Sequence, residues 1–197
     1  MICESESVSV TKSDLSNLQV VCQIQRKFIL CRLKERLFAV DQHAAAERVN
    51  VQWYQTNFEK LKCSRPLEYS QKINDTQFRL IEDERAALED HGWRFKISRS
   101  LLEIFRAPAI GNIACNGNEL IEFARGLEEG SAIIPLHRIV ATAACHRSVR
   151  FGDFMNMEEM QILMDDLNRC DFPFQCAHGR PTIFPLPKIT SSVEYIL

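Results

Sequence analysis

Apolar and polar residues begin to alternate at Leu18, and a period of two carries Val20, Cys22 and Ile24 onto one side, which predicts a β-strand. A second β-prone stretch, KFILCRL at 27–33, follows at once. Lys34, Glu35 and Arg36 predict a turn, and LFAV at 37–40 a third strand. At Asp41, a residue type that caps helices, the period changes to 3.6. The run QHAAAERVNVQWYQTNFEKL then predicts a long helix, with Ala45, Val49 and Trp53 stacked at i, i+4 spacing. A meander therefore feeds a helix whose first turn is polar.

The stretch from Cys63 to Pro66 is expected to end that helix, and a new strand-helix unit to begin. LEYSQKI at 67–73 reads as a strand. Asn74 and Gln77 read as a capping box for a helix carrying Phe78, Ile81 and Leu88, with Gly92 as its stop. WRFKI and LLEIFRA are expected to pair as strands. Asn118 is expected to open the helix ELIEFARGL, stopped by Gly130, and LHRIVATAACHRSVRF at 136–151 reads as a helix with Leu136, Ile139, Val140 and Ala143 on one face. Asn156 and Glu159 repeat the capping-box pattern before MQILMDDL. The stretch CDFPFQCAHGRPTIFPLPKI holds four prolines and one glycine, which predicts a stiff loop leading into a short extended segment.

Composition narrows the function. In 197 residues, 46% of them hydrophobic, there is enough apolar material for one domain or two small ones. Lys and Arg number 24 against 26 Asp and Glu, a net charge of −2, which excludes a domain whose affinity for DNA follows from overall charge. A nucleic-acid site must be local or completed by a partner. No run approaches the ~18 apolar residues of a membrane span, so no membrane partner is expected. Residues 1–16, rich in Ser and Glu, lack the apolar core and basic start of a signal or transit peptide and are expected to form a flexible lead-in. Eight cysteines without such targeting imply a reducing compartment, where clustered Cys binds metal more often than it forms disulfides.

Three segments could carry chemistry. In DQHAAAE, His43 and Glu47 are i and i+4 on one helix face, a spacing that lets an imidazole and a carboxylate share a metal ion, with Asp41 at the mouth of that face. The alternative is an Asp cap, a surface His and a surface Glu. In CAHGRP, Cys176 and His178 lie in a loop stiffened by Pro and Gly that can aim both donors at one centre. In ACHR, Cys145 and His146 stand late in an apolar helix, where a core thiol followed by a surface His-Arg pair is the competing reading. The remaining cysteines, at 3, 22, 31, 63, 115 and 170, have no neighbouring His and are read as structural.

Taken in order, DQHAAAE, ACHR and CAHGRP resemble the motifs of the C-terminal endonuclease domain of the MutL homologues, which act in DNA mismatch repair and meiotic recombination, over about residues 18–185. The variant FQCAHGRP, with Ala177, looks more like the catalytic subunit of MutLγ than that of MutLα. The resemblance implies metal ligands at His43, Glu47, Cys145, Cys176 and His178, with Asp41 as an acid on which nicking depends. It implies an α+β fold: a mixed-sheet dimerisation subdomain carrying the metal site, at 17–65 and 131–197, into which an external regulatory α/β subdomain is inserted at 66–130.

The function so implied is metal-dependent nicking of one strand of duplex DNA, in mismatch repair or meiotic crossover, in the nucleus. The softer ligands would take Zn²⁺, and Asp41 with Glu47 would serve Mn²⁺ or Mg²⁺ for activity. Arg147, Arg150 and Arg180 are the cations nearest the motifs and are expected to hold phosphates. The expected partners are double-stranded DNA and a non-catalytic MutL homologue subunit in a heterodimer. The replication clamp is a weak third, because KLKCSRP matches the family's clamp-binding motif poorly. The family usually has a second Glu five residues after Glu47, where this chain has Gln52, and the Phe-x-Arg element of many bacterial members does not follow the GRP loop. A zinc-stabilised, non-catalytic heterodimerisation module is the rival expectation.

Overall fold

A computed structural model of the chain describes residues 10–131 and 135–187, apart from the side chain of Glu59. Two compact units result. The first is built from residues 1–52 and 147–197 and the second from residues 53–146. The division falls after Gln52 and after His146, rather than at 65/66 and 130/131 as the sequence suggested.

The first unit opens with a short helix, α1 (Lys12–Leu15), capped by Thr11 and Asp14, whose Leu15 joins the core. Here the expected flexible lead-in ends early, because burial of Leu15 and Leu18 ties the chain down; residues 1–9 lie outside the described residues. Strands β1 (Gln19–Ile24), β2 (Phe28–Leu33) and β3 (Arg36–Asp41) follow, and β8 (Ile183–Pro185) completes a sheet of order β1-β2-β3-β8. Every pairing in it is antiparallel, so the mixed sheet expected from the resemblance is not found among the described residues. The reason is local: tight turns join β1 to β2 and β2 to β3, with Gln25 and Arg26 at φ 52 and Lys34 at φ 54, and strands joined so closely must run antiparallel.

The strand β1 departs from simple alternation. Val21 is an extra residue opposite the step from Cys31 to Leu30. Past that bulge the inward face changes from the Val20, Cys22, Ile24 series to Gln23, which pairs with buried Ile29 while Cys22 and Ile24 are exposed. Helix α2 (Gln42–Leu61) begins directly after β3, and α7 (Met157–Arg169) is capped reciprocally by Asn156 and Glu159 as its sequence predicts. Ile29, Phe38, Val40, Ala45, Met164 and Leu167 belong to this unit's core.

The second unit holds a sheet of order β4-β6-β5, formed by β4 (Lys62–Lys72), β5 (Arg94–Ser98) and β6 (Leu101–Ile110), with β7 (Ile113–Ala114) on β6. It too is antiparallel. The segment from Cys63 to Pro66 is strand, paired with β6 from Ala109 to Arg106, and the ladder slips between Pro66 and Tyr69. One helix expected after Asn74 is two, α3 (Asp75–Asp83) and α4 (Arg85–Asp90), separated at Glu84, whose φ of −95 and ψ of 9 leave the helical region. Helix α5 (Gly117–Glu128) is capped by Asn116 with Glu119, two residues earlier than expected. Helix α6 (His137–Arg147) ends at Arg147, releasing Ser148 to Phe151 into a loop. Trp93, Leu102, Leu120 and Phe123 are fully buried in this unit.

No helix among the described residues is long and apolar enough to cross a membrane.

Candidate metal centre

The β3 to α2 junction sets the site. Asp41 Oδ1 accepts the backbone N–H groups of His43 and Ala44, both at 2.9 Å, and so caps α2. With the first turn fixed, the i and i+4 side chains of His43 and Glu47 share a face, and His43 Nε2 lies 3.7 Å from Glu47 Oε2. The His43 Nδ1–H donates to the carbonyl of Val149 at 2.9 Å, which orients the ring with Nε2 toward Glu47. An edge of Phe151 flanks the imidazole at 6.0 Å between centroids.

Glu47 is 2% exposed. The CAHGRP loop reaches it from β8, which pairs with β3 through Val40 and Ile183. Asp41 N–H donates to the Thr182 carbonyl at 2.9 Å, tying the loop's exit to the helix cap. Inside the loop Cys176 N–H donates to Arg180 O at 3.0 Å and Gly179, at φ +76, donates to Cys176 O at 3.1 Å. That tight turn needs a left-handed residue, and glycine supplies it without strain. The result is that His178 Nδ1–H donates to Glu47 Oε1 at 2.8 Å, and the ligand atoms of Glu47, Cys176 and His178 all lie within 4.8 Å of one another. Burial pushes the Cys176 thiol above its ordinary value, reinforced by its hydrogen bond to Glu47.

A buried carboxylate faced by two imidazoles and a thiol fits a borderline-soft divalent cation such as Zn²⁺, with the Val149 carbonyl as an outer brace on the His43 ring. The first unit therefore brings together His43, Glu47, Cys176 and His178. Asp41 stays outside the converging set. Cys145 lies half-buried near the end of α6, in the second unit. Arg147, Arg150 and Arg180 are exposed. Cys31 and Cys115 are pushed up to about 12 by burial, in keeping with structural thiols.

Sequence reasoning passed over Gln42. It is fully buried: its Nε2 donates to Arg150 O at 2.8 Å and its Oε1 accepts Gln23 Nε2 at 2.8 Å. It thus braces the loop that carries Val149. The signal was present, since a polar residue locked between a cap and a ligand is out of place on a buried face, but its partner Gln23 is inward only because of the β1 bulge. Lys27 was also missed; its Nζ sits 6.0 Å over the Phe151 ring.

With an α+β fold and this donor set in place, comparison with known proteins identifies the class. Residues 21–154 match the model of the MutL C terminal dimerisation domain, and the chain belongs to the MutL family. It is 28% identical over 227 residues to the human DNA mismatch repair protein Mlh3, covering 91% of this chain and 16% of that protein. It is 27% identical to MLH3 of Arabidopsis thaliana, over 90% of this chain and 18% of that protein. It is 30% identical to the DNA mismatch repair protein MutL of a Wolbachia from Brugia malayi, over 82% of this chain and 27% of that protein. The chain thus spans less than a third of the length of these relatives.

Proposed function

We propose that this chain is the metal-dependent endonuclease domain of a MutL homologue, nicking one strand of duplex DNA, and that it resembles the catalytic subunit of MutLγ. The observation that carries the reading is the convergence of Glu47, Cys176 and His178 on one point, with His43 beside Glu47. Similarity to Mlh3 proteins of human, plant and yeast supports the subtype, and with it mismatch repair or meiotic crossover in the nucleus.

His43, Glu47, Cys176 and His178 would hold Zn²⁺, with Cys145 a further ligand implied by the family resemblance. A bound Mn²⁺ or Mg²⁺ would supply Lewis acidity toward the phosphodiester and lower the pKa of a water. The chain's own residues do the rest. Asp41 fixes the first turn of α2 and presents a carboxylate at its mouth, and Val149 orients His43. Arg147, Arg150 and Arg180 are exposed to meet phosphates, which a chain of net charge −2 needs locally.

The dimerisation reading rests on the first unit's surface. The strand β1 is an edge of its sheet and exposes Val21 and Ile24, while α7 exposes Met157 and Ile162. An open, partly apolar edge of this kind suits a second MutL homologue chain. The replication clamp gains no support, since Lys62 to Pro66 is paired in β4.

The zinc-stabilised, non-catalytic heterodimerisation module remains the second reading, favoured by one observation: Asp41 already serves as a helix cap and lies outside the donor set. Plasmid nicking in Mn²⁺, with and without the partner, separates the two. Nicking that depends on Asp41 supports the nuclease; zinc binding without nicking in the heterodimer supports the module.

A further inference from the structure

Gln52 stands where the family usually has a second Glu, and its side chain reaches the stretch leaving α7. Gln52 Nε2 donates to Asp171 Oδ2 at 2.9 Å, while its Oε1 accepts the Asp171 backbone N–H at 3.3 Å and a guanidinium N–H of Arg48 at 3.3 Å. One carboxamide thus uses both ends on a single residue, which a carboxylate, having no donor, cannot do.

Asp171 lies at the root of the CAHGRP loop. The preceding Cys170 is 2% exposed and ends α7, with its Sγ directed to the carbonyl of Asp166 at 3.5 Å. Beyond Asp171, the carbonyls of Pro173 and Phe174 accept the Thr182 hydroxyl at 2.5 Å and N–H at 3.1 Å, and Gln175 bridges Pro181. This ladder has Cys176 and His178 at its tip. Helix α2 therefore grips the loop twice: at its tip through Glu47 and His178, and at its root through Gln52 and Asp171.

We infer that Gln52 is a positioning residue that, paired with Asp171, holds the root of the loop so that Cys176 and His178 meet Glu47, and that in this chain a Glu at position 52 weakens the metal site. The inference rests on the proposed metal-binding role of those residues. A Glu at 52 faces Asp171 with acceptors only and adds like-charge repulsion, so the extra negative charge acts against the loop and not for the cation.

The test uses Gln52→Glu, Asp171→Asn and the double variant in the full chain, with Zn²⁺ affinity measured by chelator competition and amide exchange measured on metal-free protein. Gln52→Glu is expected to lower Zn²⁺ affinity by about 10-fold or more. It should also speed exchange at the N–H groups of Asp171, Cys176 and Gly179. Asp171→Asn retains a partner for the carboxamide and is expected to behave as wild type. The double variant restores a donor facing an acceptor and should return both readouts to within about 3-fold of wild type. Affinity unchanged or tightened in Gln52→Glu, or a double variant as weak as that single one, overturns the clamp. If wild type binds no zinc, the metal reading fails, and the exchange pattern alone decides the clamp: protection lost in Gln52→Glu and regained in the double variant upholds it, and any other pattern overturns it.

Discussion

At the scale of single residues, the same atom can serve a fold and a reaction, and Asp41 shows how to tell them apart. Its Oδ1 caps α2, a task that asparagine performs equally well. Asp41→Asn is therefore expected to leave thermal stability within about 1 kcal/mol of wild type, while Mn²⁺-dependent nicking falls about 100-fold or more; a nicking assay beside a melting curve checks both. The buried thiols make a second case. Cys31 and Cys115 are pushed up to about 12 from 9.0 by burial, so the native state keeps protons that the unfolded chain gives up from about pH 9. The unfolded state then binds fewer protons, and stability should fall as pH rises from about 9 toward 12. A series of urea midpoints above pH 8.5 reads this directly. Alkylation of native protein at pH 8 should mark exposed Cys22 and Cys63 and spare Cys31 and Cys115.

At the scale of elements, the motif-bearing parts of the chain were readable because their signals are local. The strand, cap and helix order around Asp41, the capping box of α7 and the glycine turn between Cys176 and Arg180 each depend on neighbours in sequence. What escaped depends on partners far away. The Val21 bulge in β1 reverses the inward face only because β2 fixes the register, and so Gln23, in place of Cys22 and Ile24, meets Gln42. Pro66 was read as a breaker, yet it stands in β4 beside a slip in the ladder. Gln52 was read only as standing where the family usually has a second Glu, and its bond to Asp171, more than a hundred residues on, was not foreseen. Gln42→Ala should cost about 1–3 kcal/mol, because a fully buried side chain is removed, the Arg150 carbonyl loses its Gln42 donor and the Gln23 amide keeps only its bond to the Asp153 carbonyl. It should also weaken Zn²⁺ binding through the freed Val149 loop, which calorimetric titration of folded variant would show.

At the scale of the whole molecule, the first unit carries both a donor set gathered around buried Glu47 and Cys176 and a partly apolar surface proposed to meet a second chain. Ile162 of α7 and Val21 of β1 are exposed apolar residues of that proposed surface. Ile162→Glu is expected to weaken heterodimer formation by about 10-fold or more while leaving zinc content unchanged, as sedimentation with elemental analysis would report. Loss of zinc together with loss of the dimer would mean that the two features are not separable. Zinc-edge X-ray absorption on the purified protein decides whether His43, Glu47, Cys176 and His178 form one metal site. About one zinc per chain is expected, with a Zn–S distance of about 2.3 Å and loss of that sulfur contribution in Cys176→Ser. Substoichiometric zinc, or a shell of nitrogen and oxygen alone that Cys176→Ser does not alter, would contradict it.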